Sequence, residues 1–124
     1  MANILCVDDS ELGLAVRRMV LQSCGHTVVT ACSAEQALSM FGLAWFDLVV
    51  TDYFLGDQTG AELAQEMKRR RPSVSVLMLS GAPELPETAA DALLVKGGDP
   101  RMLIEAVAEL LGGREPVKVS AVGA

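Results

Sequence analysis

The sequence predicts an α/β fold: a (βα)5 doubly wound three-layer sandwich with a central five-stranded parallel sheet between layers of helices. Three observations predict it. Short apolar runs, partly β-branched and not alternating, recur along the chain as strands covered on both faces do. Longer segments with helical periodicity separate them. The chain is 124 residues long, 51% hydrophobic and 21% charged, which fits one globular domain.

The first strand is predicted at residues 4–7. A helix over 12–24 follows, with Leu12, Val16, Met19 and Val20 as its inward stripe. On that reading Arg17 and Arg18 face away, and Leu14 and Leu21 are left exposed as a candidate contact face. A second strand at 28–31 leads into a helix over 34–43, capped by Ser33 with Gln36 at its third position. The third strand, 48–51, precedes a helix over 60–70 that buries Leu63, Ala64 and Met67. It ends in the basic run 68–71 before Pro72.

A fourth strand is predicted at 74–79 and a weaker fifth at 92–95. Between them Pro83 and Pro86 leave at most a turn or two of helix, so the fourth helix is expected to be short or irregular. The last helix starts with Asp99 as cap and Pro100 in its first turn. It buries Leu103, Ile104, Val107, Leu110 and Leu111 and stops at Gly112 and Gly113. The domain is therefore expected over 1–113, with 114–124 as a short flexible tail.

Composition excludes several functions. Sixteen acidic against ten basic side chains give a net charge of -6, which argues against a broad nucleic-acid surface. No apolar run is long enough to span a bilayer, and the start lacks the basic region of a secretory signal, so a cytoplasmic location is expected. Cys6, Cys24 and Cys32 lack metal-site spacing and read as reduced, buried hydrophobes. His26 is expected in a surface turn. Neither a G-x-x-x-x-G-K-[ST] loop nor G-x-G-x-x-G occurs, so no nucleotide cofactor is expected.

The polar residues of interest fall at strand ends. Asp8 and Asp9 follow the first strand, Asp52 the third, Ser80 the fourth and Lys96 the fifth, so one edge of the sheet collects all five. Individually each has a structural reading: Asp8 and Asp9 as helix caps, Asp52 and Ser80 as turn formers, Lys96 as a solvated end. Together they form a chemical set. Three close carboxylates favour a hard divalent cation, a carboxylate can attack phosphorus, and a hydroxyl and an ammonium can hold phosphoryl oxygens. Gly56 and Gly60 are expected to relieve a tight loop after Asp52 and to introduce the next helix.

The chain resembles the receiver domain of bacterial two-component response regulators over residues 3–111. The resemblance rests on Ile4-Leu5-Cys6-Val7-Asp8-Asp9-Ser10, Phe46-Asp47-Leu48-Val49-Val50-Thr51-Asp52, Gly60, Met78-Leu79-Ser80-Gly81 and Leu94-Val95-Lys96. It implies a flavodoxin-like fold in which Asp52 is the phosphoacceptor. Mg2+, or Mn2+ in its place, would be held by Asp8, Asp9, Asp52 and the Phe54 backbone carbonyl, while Ser80 and Lys96 grip the phosphoryl group. The implied partners are a sensor histidine kinase or histidine phosphotransfer protein, an output protein, and a second copy in a two-fold dimer. Catalysis would be confined to the chain's own modification, and no direct contact with nucleic acid or membrane insertion is implied.

The sequence departs from the family pattern at three places. Leu93 stands where an aromatic switch residue is usual, and Gly97 where a proline usually follows the lysine. Phe54 is bulkier than usual and could shield an acyl phosphate from water, the alternative being that it covers the apolar loop. Two rival functions are a phosphorylation-independent scaffold or dimerisation module and a haloacid-dehalogenase-type phosphatase. The second would need an aspartate where Phe54 stands. Neither pathway nor partner is specified, and a stand-alone receiver and a piece of a longer regulator remain equally open.

Overall fold

The computed structural model describes residues 1–81 and 88–112. In chain order the elements are β1 (Asn3–Val7), α1 (Glu11–Gln22), β2 (Thr27–Ala31), α2 (Ala34–Leu43), β3 (Leu48–Asp52), α3 (Gly60–Arg70), β4 (Ser75–Ser80), β5 (Ala92–Val95) and α4 (Pro100–Gly112). The strands form one sheet of order β2-β1-β3-β4-β5, and every pairing is parallel. The winding reverses between β1 and β3, which is where α/β sheets open a crevice beyond the strand ends. The predicted flavodoxin-like sandwich is the observed one. The expected irregular fourth helix falls largely on 82–87, and the tail on 114–124, both outside the described residues.

Strand alternation divides the apolar residues between the two faces of the sheet. Leu5, Val7, Val49, Val76 and Met78 pack with α2 and α3 through Ala37, Phe41, Leu63 and Met67. Ile4, Cys6, Leu48, Val50, Leu77 and Leu79 pack on the other face with Leu14, Leu21, Leu103 and Val107 from α1 and α4. The central strands are buried on both sides, whereas edge strands β2 and β5 alternate between covered and exposed positions. The expectation of continuous burial therefore holds at the centre and fails at the edges. Val29, Leu93 and Val95 are all exposed.

Local chemistry sets the helix ends. Ser10, Ser33 and Thr59 cap α1, α2 and α3, and Thr59 with Glu62 forms a reciprocal capping box. Asp99 accepts from the Arg101 amide at 2.9 Å at the start of α4. The return from β4 to β5 is pinned by Asp91, which accepts from the Val76 amide at 2.8 Å and pairs with Lys68 at 2.7 Å.

Helix α1 lies on the sheet by a different face from the one expected. Leu14 and Leu21 are buried, while Leu12 is 76% and Met19 67% exposed, and Val16 is exposed beside them. The buried row runs 14-17-21, so it contains Arg17. A charged residue in that row made it read as the solvent face, but this guanidinium is paired with Asp8 and turned inward. Cysteine burial also needs correction: Cys6 is buried, but Cys24 and Cys32 are exposed because they lie in the turn after α1 and just beyond β2. His26 is half-buried beside that turn, where Nδ1 accepts from the Ala2 amide at 3.2 Å.

Burial pushes the Cys6 thiol up to about 12. Under native conditions a thiol-specific reagent should therefore modify Cys24 and Cys32 rapidly, with Cys6 reacting only on unfolding. Counting thiols released before and after denaturant addition checks this.

Candidate functional site

The parallel registers bring the strand ends into line. Val7 pairs with Thr51, Asp52 with Leu79, and Ser80 with Val95. Asp8 and Asp9 leave β1 beside the end of β3, and Lys96 leaves β5 beside the end of β4. Asp52 and Ser80 are the last residues of their strands rather than the first of the loops. Asp8, Asp9 and Asp52 each offer a carboxylate oxygen within 4.8 Å of the other two. Asp8 is only 1% exposed and Asp52 6%, while Asp9 is open to solvent.

Buried carboxylates must be compensated. Asp8 Oδ1 accepts from the Ser10 amide at 3.0 Å, and its Oδ2 is met by Arg17 Nη2. Lys96 Nζ lies 3.1 Å from Asp52 Oδ2 and 3.9 Å from Asp8 Oδ2. Asp52 Oδ1 accepts from the Tyr53 amide at 3.0 Å. Since Ser10 caps α1, the helix-cap reading does not apply to Asp8 or Asp9.

Asp8 and Asp52 are shifted in opposite directions. Burial pushes Asp8 up, but the Ser10 amide, Arg17 and Lys96 outweigh it and hold the group below the usual carboxylate range. Asp52 lies above that range because burial, reinforced by the Asp8 charge, outweighs the Lys96 hydrogen bond and the Tyr53 amide. Three carboxylates face two cations, leaving a negative balance. That donor set of hard oxygens is capable of holding a divalent metal ion.

The loop after Asp52 is held close to it. Gly60 donates to the Tyr53 carbonyl at 2.6 Å, Leu55 to the Gln58 carbonyl at 3.2 Å, and Phe54 bridges to Thr59. A Cβ on Gly60 would collide with the Asp52 carbonyl oxygen, and Gly56 has φ +89°. Both glycines thus do what the sequence suggests. Leu55 fills the core beneath the loop, whereas Phe54 is 68% exposed with its ring edge-on to Tyr53. Phe54 consequently does not cover the apolar loop.

Ser80 is buried at the end of β4, and its carbonyl accepts from the Lys96 amide at 2.7 Å, which ties the two residues together. Leu93 is exposed on β5, three residues before Lys96. Two residues escape the sequence reading. Arg17 lies in the acid cluster, signalled only by Gly13 in the preceding turn. Asp57 lies outside the cluster but accepts from the amides of Ala34 at 3.3 Å and Glu35 at 3.2 Å, so the loop also holds the start of α2.

A model of the response regulator receiver domain family matches residues 4–108. The chain belongs to that family. Among known proteins, this receiver is 34% identical over 119 residues to the alginate biosynthesis transcriptional regulatory protein AlgB of Pseudomonas aeruginosa. That match covers 90% of the chain and 26% of AlgB. It is 40% identical over 70 residues to the aerobic respiration control sensor protein ArcB of Escherichia coli, covering 56% of the chain and 9% of ArcB. The receiver thus spans a minor part of these relatives. Among solved structures it is similar to a CheY-like receiver domain protein from Methanospirillum hungatei. The two share 30% identity at a TM-score of 0.84, with 90% of this chain and 94% of that one covered. Response regulator TrrA from Thermotoga maritima, in complex with Mg2+ and BeF, gives the same identity and TM-score over 90% and 100% of the respective chains.

The Gly60 contact makes a direct test of how closely the loop must sit. Gly60→Ala should destabilise the receiver by about 3 kcal/mol, because the atom it meets is backbone and cannot swing aside. Urea denaturation of the two proteins measures the difference.

Proposed function

We propose that this receiver accepts a phosphoryl group on Asp52 from a phosphohistidine, with Mg2+ as cofactor, and alters partner binding in consequence. The observation that carries the reading is Asp52 itself: a buried carboxylate held 3.1 Å from Lys96 and beside Asp8 and Asp9. The solved relative named for its complex with Mg2+ and BeF supports the same reading.

Asp8, Asp9 and Asp52, with the Phe54 carbonyl, would hold Mg2+ or Mn2+. The bound ion would neutralise charge on the transferring phosphoryl oxygens. An Asp52 carboxylate oxygen attacks phosphorus, the new O–P bond forms as the N–P bond breaks, and the histidine imidazole leaves. Lys96 then turns from Asp52 to a phosphoryl oxygen, and the Ser80 hydroxyl donates to another. The added charge of roughly -1.5 to -2 draws these two groups inward and biases the segments they carry. Hydrolysis by an in-line water returns the carboxylate, so the chemistry stays on the chain's own modification.

The donor is a sensor histidine kinase or a histidine phosphotransfer protein. The exposed apolar row Leu12, Val16 and Met19 runs down α1, and Val16, Val20, Leu94, Val95 and Met102 line a groove next to it beside Lys96. A helical partner laid there would bring its histidine to the strand ends. Phe54 lies two residues after Asp52 with its ring exposed, and that ring would limit water approach to the acyl phosphate.

Acetyl phosphate with Mg2+ should add one phosphoryl group to the wild-type protein by intact mass. Asp52→Asn or chelation should abolish it, whereas continued labelling of Asp52→Asn would refute the assignment. Output affinity that is identical with and without the phosphoryl group would favour the scaffold function. Phe54→Asn should shorten the lifetime of the phosphorylated form, followed by the decay of that mass. An unchanged lifetime would remove the shielding role.

A further inference from the structure

Helix α1 brings a cation into the acid cluster through a slot that only a glycine leaves open. Arg17 Nη2 reaches Asp8 Oδ2, the oxygen that also faces Lys96 at 3.9 Å. The guanidinium passes directly over Gly13, one turn earlier on the same helix. A Cβ placed on Gly13 would stand 2.9 Å from Arg17 Nη2 and 3.0 Å from Asp8 Oδ2. Gly13 therefore clears the path. Glycine is a poor residue inside a helix, so its use at this position is explained by the arginine lying across it.

We propose that Arg17 is a resident counter-ion of the acid pair, occupying Asp8 until a divalent cation competes for it. Arg17 is then a positioning residue that sets metal affinity, and Gly13 is the condition for its doing so. The physical basis is charge and geometry. Asp8 is almost wholly buried, and one of its oxygens is already engaged by the Ser10 amide. The other is shared between Arg17 and Lys96, so a cation approaching Asp8, Asp9 and Asp52 meets a cluster partly neutralised in advance. Removing the guanidinium charge leaves the same three carboxylates with one cation fewer. A divalent ion should then bind more tightly by about fivefold or more, since a unit charge about 4 Å away in water is worth about fivefold on a monovalent ion and more on a divalent one.

This inference rests on the metal site of the preceding reading, and its test separates the two. Mg2+ binding is measured by isothermal titration calorimetry on the wild-type protein, Arg17→Gln and Gly13→Ala. Both substitutions should tighten Mg2+ binding, Arg17→Gln by about fivefold or more and Gly13→Ala in the same direction, since Arg17 carries the flexible end that must give way. Thermal melts should show a larger gain on adding Mg2+ for both variants than for the wild type, as tighter binding to the native state requires. A purely structural role for Arg17 would lower the melting temperature without tightening the metal.

Unchanged or weaker Mg2+ binding by Arg17→Gln overturns the proposal, as does absence of Mg2+ binding in all three proteins. Should Arg17→Gln fail to fold, Arg17→Met decides on the same criterion, because it keeps an apolar stem of similar length and removes the charge. Phosphoryl incorporation at Asp52 is scored independently. A chain that takes the phosphoryl group but ignores Arg17 in its Mg2+ affinity loses only this proposal. A chain that takes none, yet binds Mg2+ more tightly as Arg17→Gln, keeps it and loses the phosphoacceptor reading.

Discussion

Two carboxylates held almost out of water at the end of a parallel sheet are the constraint on which the arrangement depends. An ionised carboxylate in a protein interior costs several kcal/mol unless cations and donors surround it. Asp8 and Asp52 are surrounded by Arg17, Lys96 and the amides of Ser10 and Tyr53. These four partners come from three stretches of chain, so α1 with its cap, the β3–α3 loop and the end of β5 must all arrive at one point. Asp8 receives the greater share of compensation, and Asp52 bears the uncompensated part. Of the two buried acids, Asp52 is accordingly the one whose charge the protein supports less.

How much of this was legible depends on whether a residue's partner was local. The central strands could be read because both faces are apolar, and so Asp8, Asp9, Asp52, Ser80 and Lys96 fell at strand ends by simple counting. The facing of α1 could not. Leu12, Val16 and Met19 make as regular an apolar row as Leu14 and Leu21, and an arginine in the latter row argued for solvent. Only the buried Asp8 carboxylate, nine residues earlier, makes that arginine an inward residue. Cys24 and Cys32 were misplaced for a related reason, since apolar neighbours in sequence say little about burial at an element's end. Leu93 and Val95 were apolar enough to suggest a covered strand, yet they lie on the exposed side of a sheet edge.

Family membership and the details of this chain carry different information. The receiver fold accounts for the convergence of acids, hydroxyl and lysine at the switch point of the sheet. It does not by itself account for an arginine threaded over a glycine, a leucine on β5 three residues before the lysine, or an exposed phenylalanine in the loop after Asp52. Those are properties of this sequence. They set the charge beside the acid cluster and the apolar surface around it.

Asp57 has a consequence of another kind. Its carboxylate joins two pieces of chain: it lies in the loop that follows Asp52 and accepts from the first two amides of α2. Loops ordinarily accept insertions and deletions more freely than the elements they join. Between Asp52 and Gly60 this freedom is curtailed, because a change of length would also take the acceptor from the first two amides of a helix that is remote in sequence. The spacing from Asp52 to α3 is thus under a restraint imposed by a neighbour, and one side chain, Asp57, transmits it.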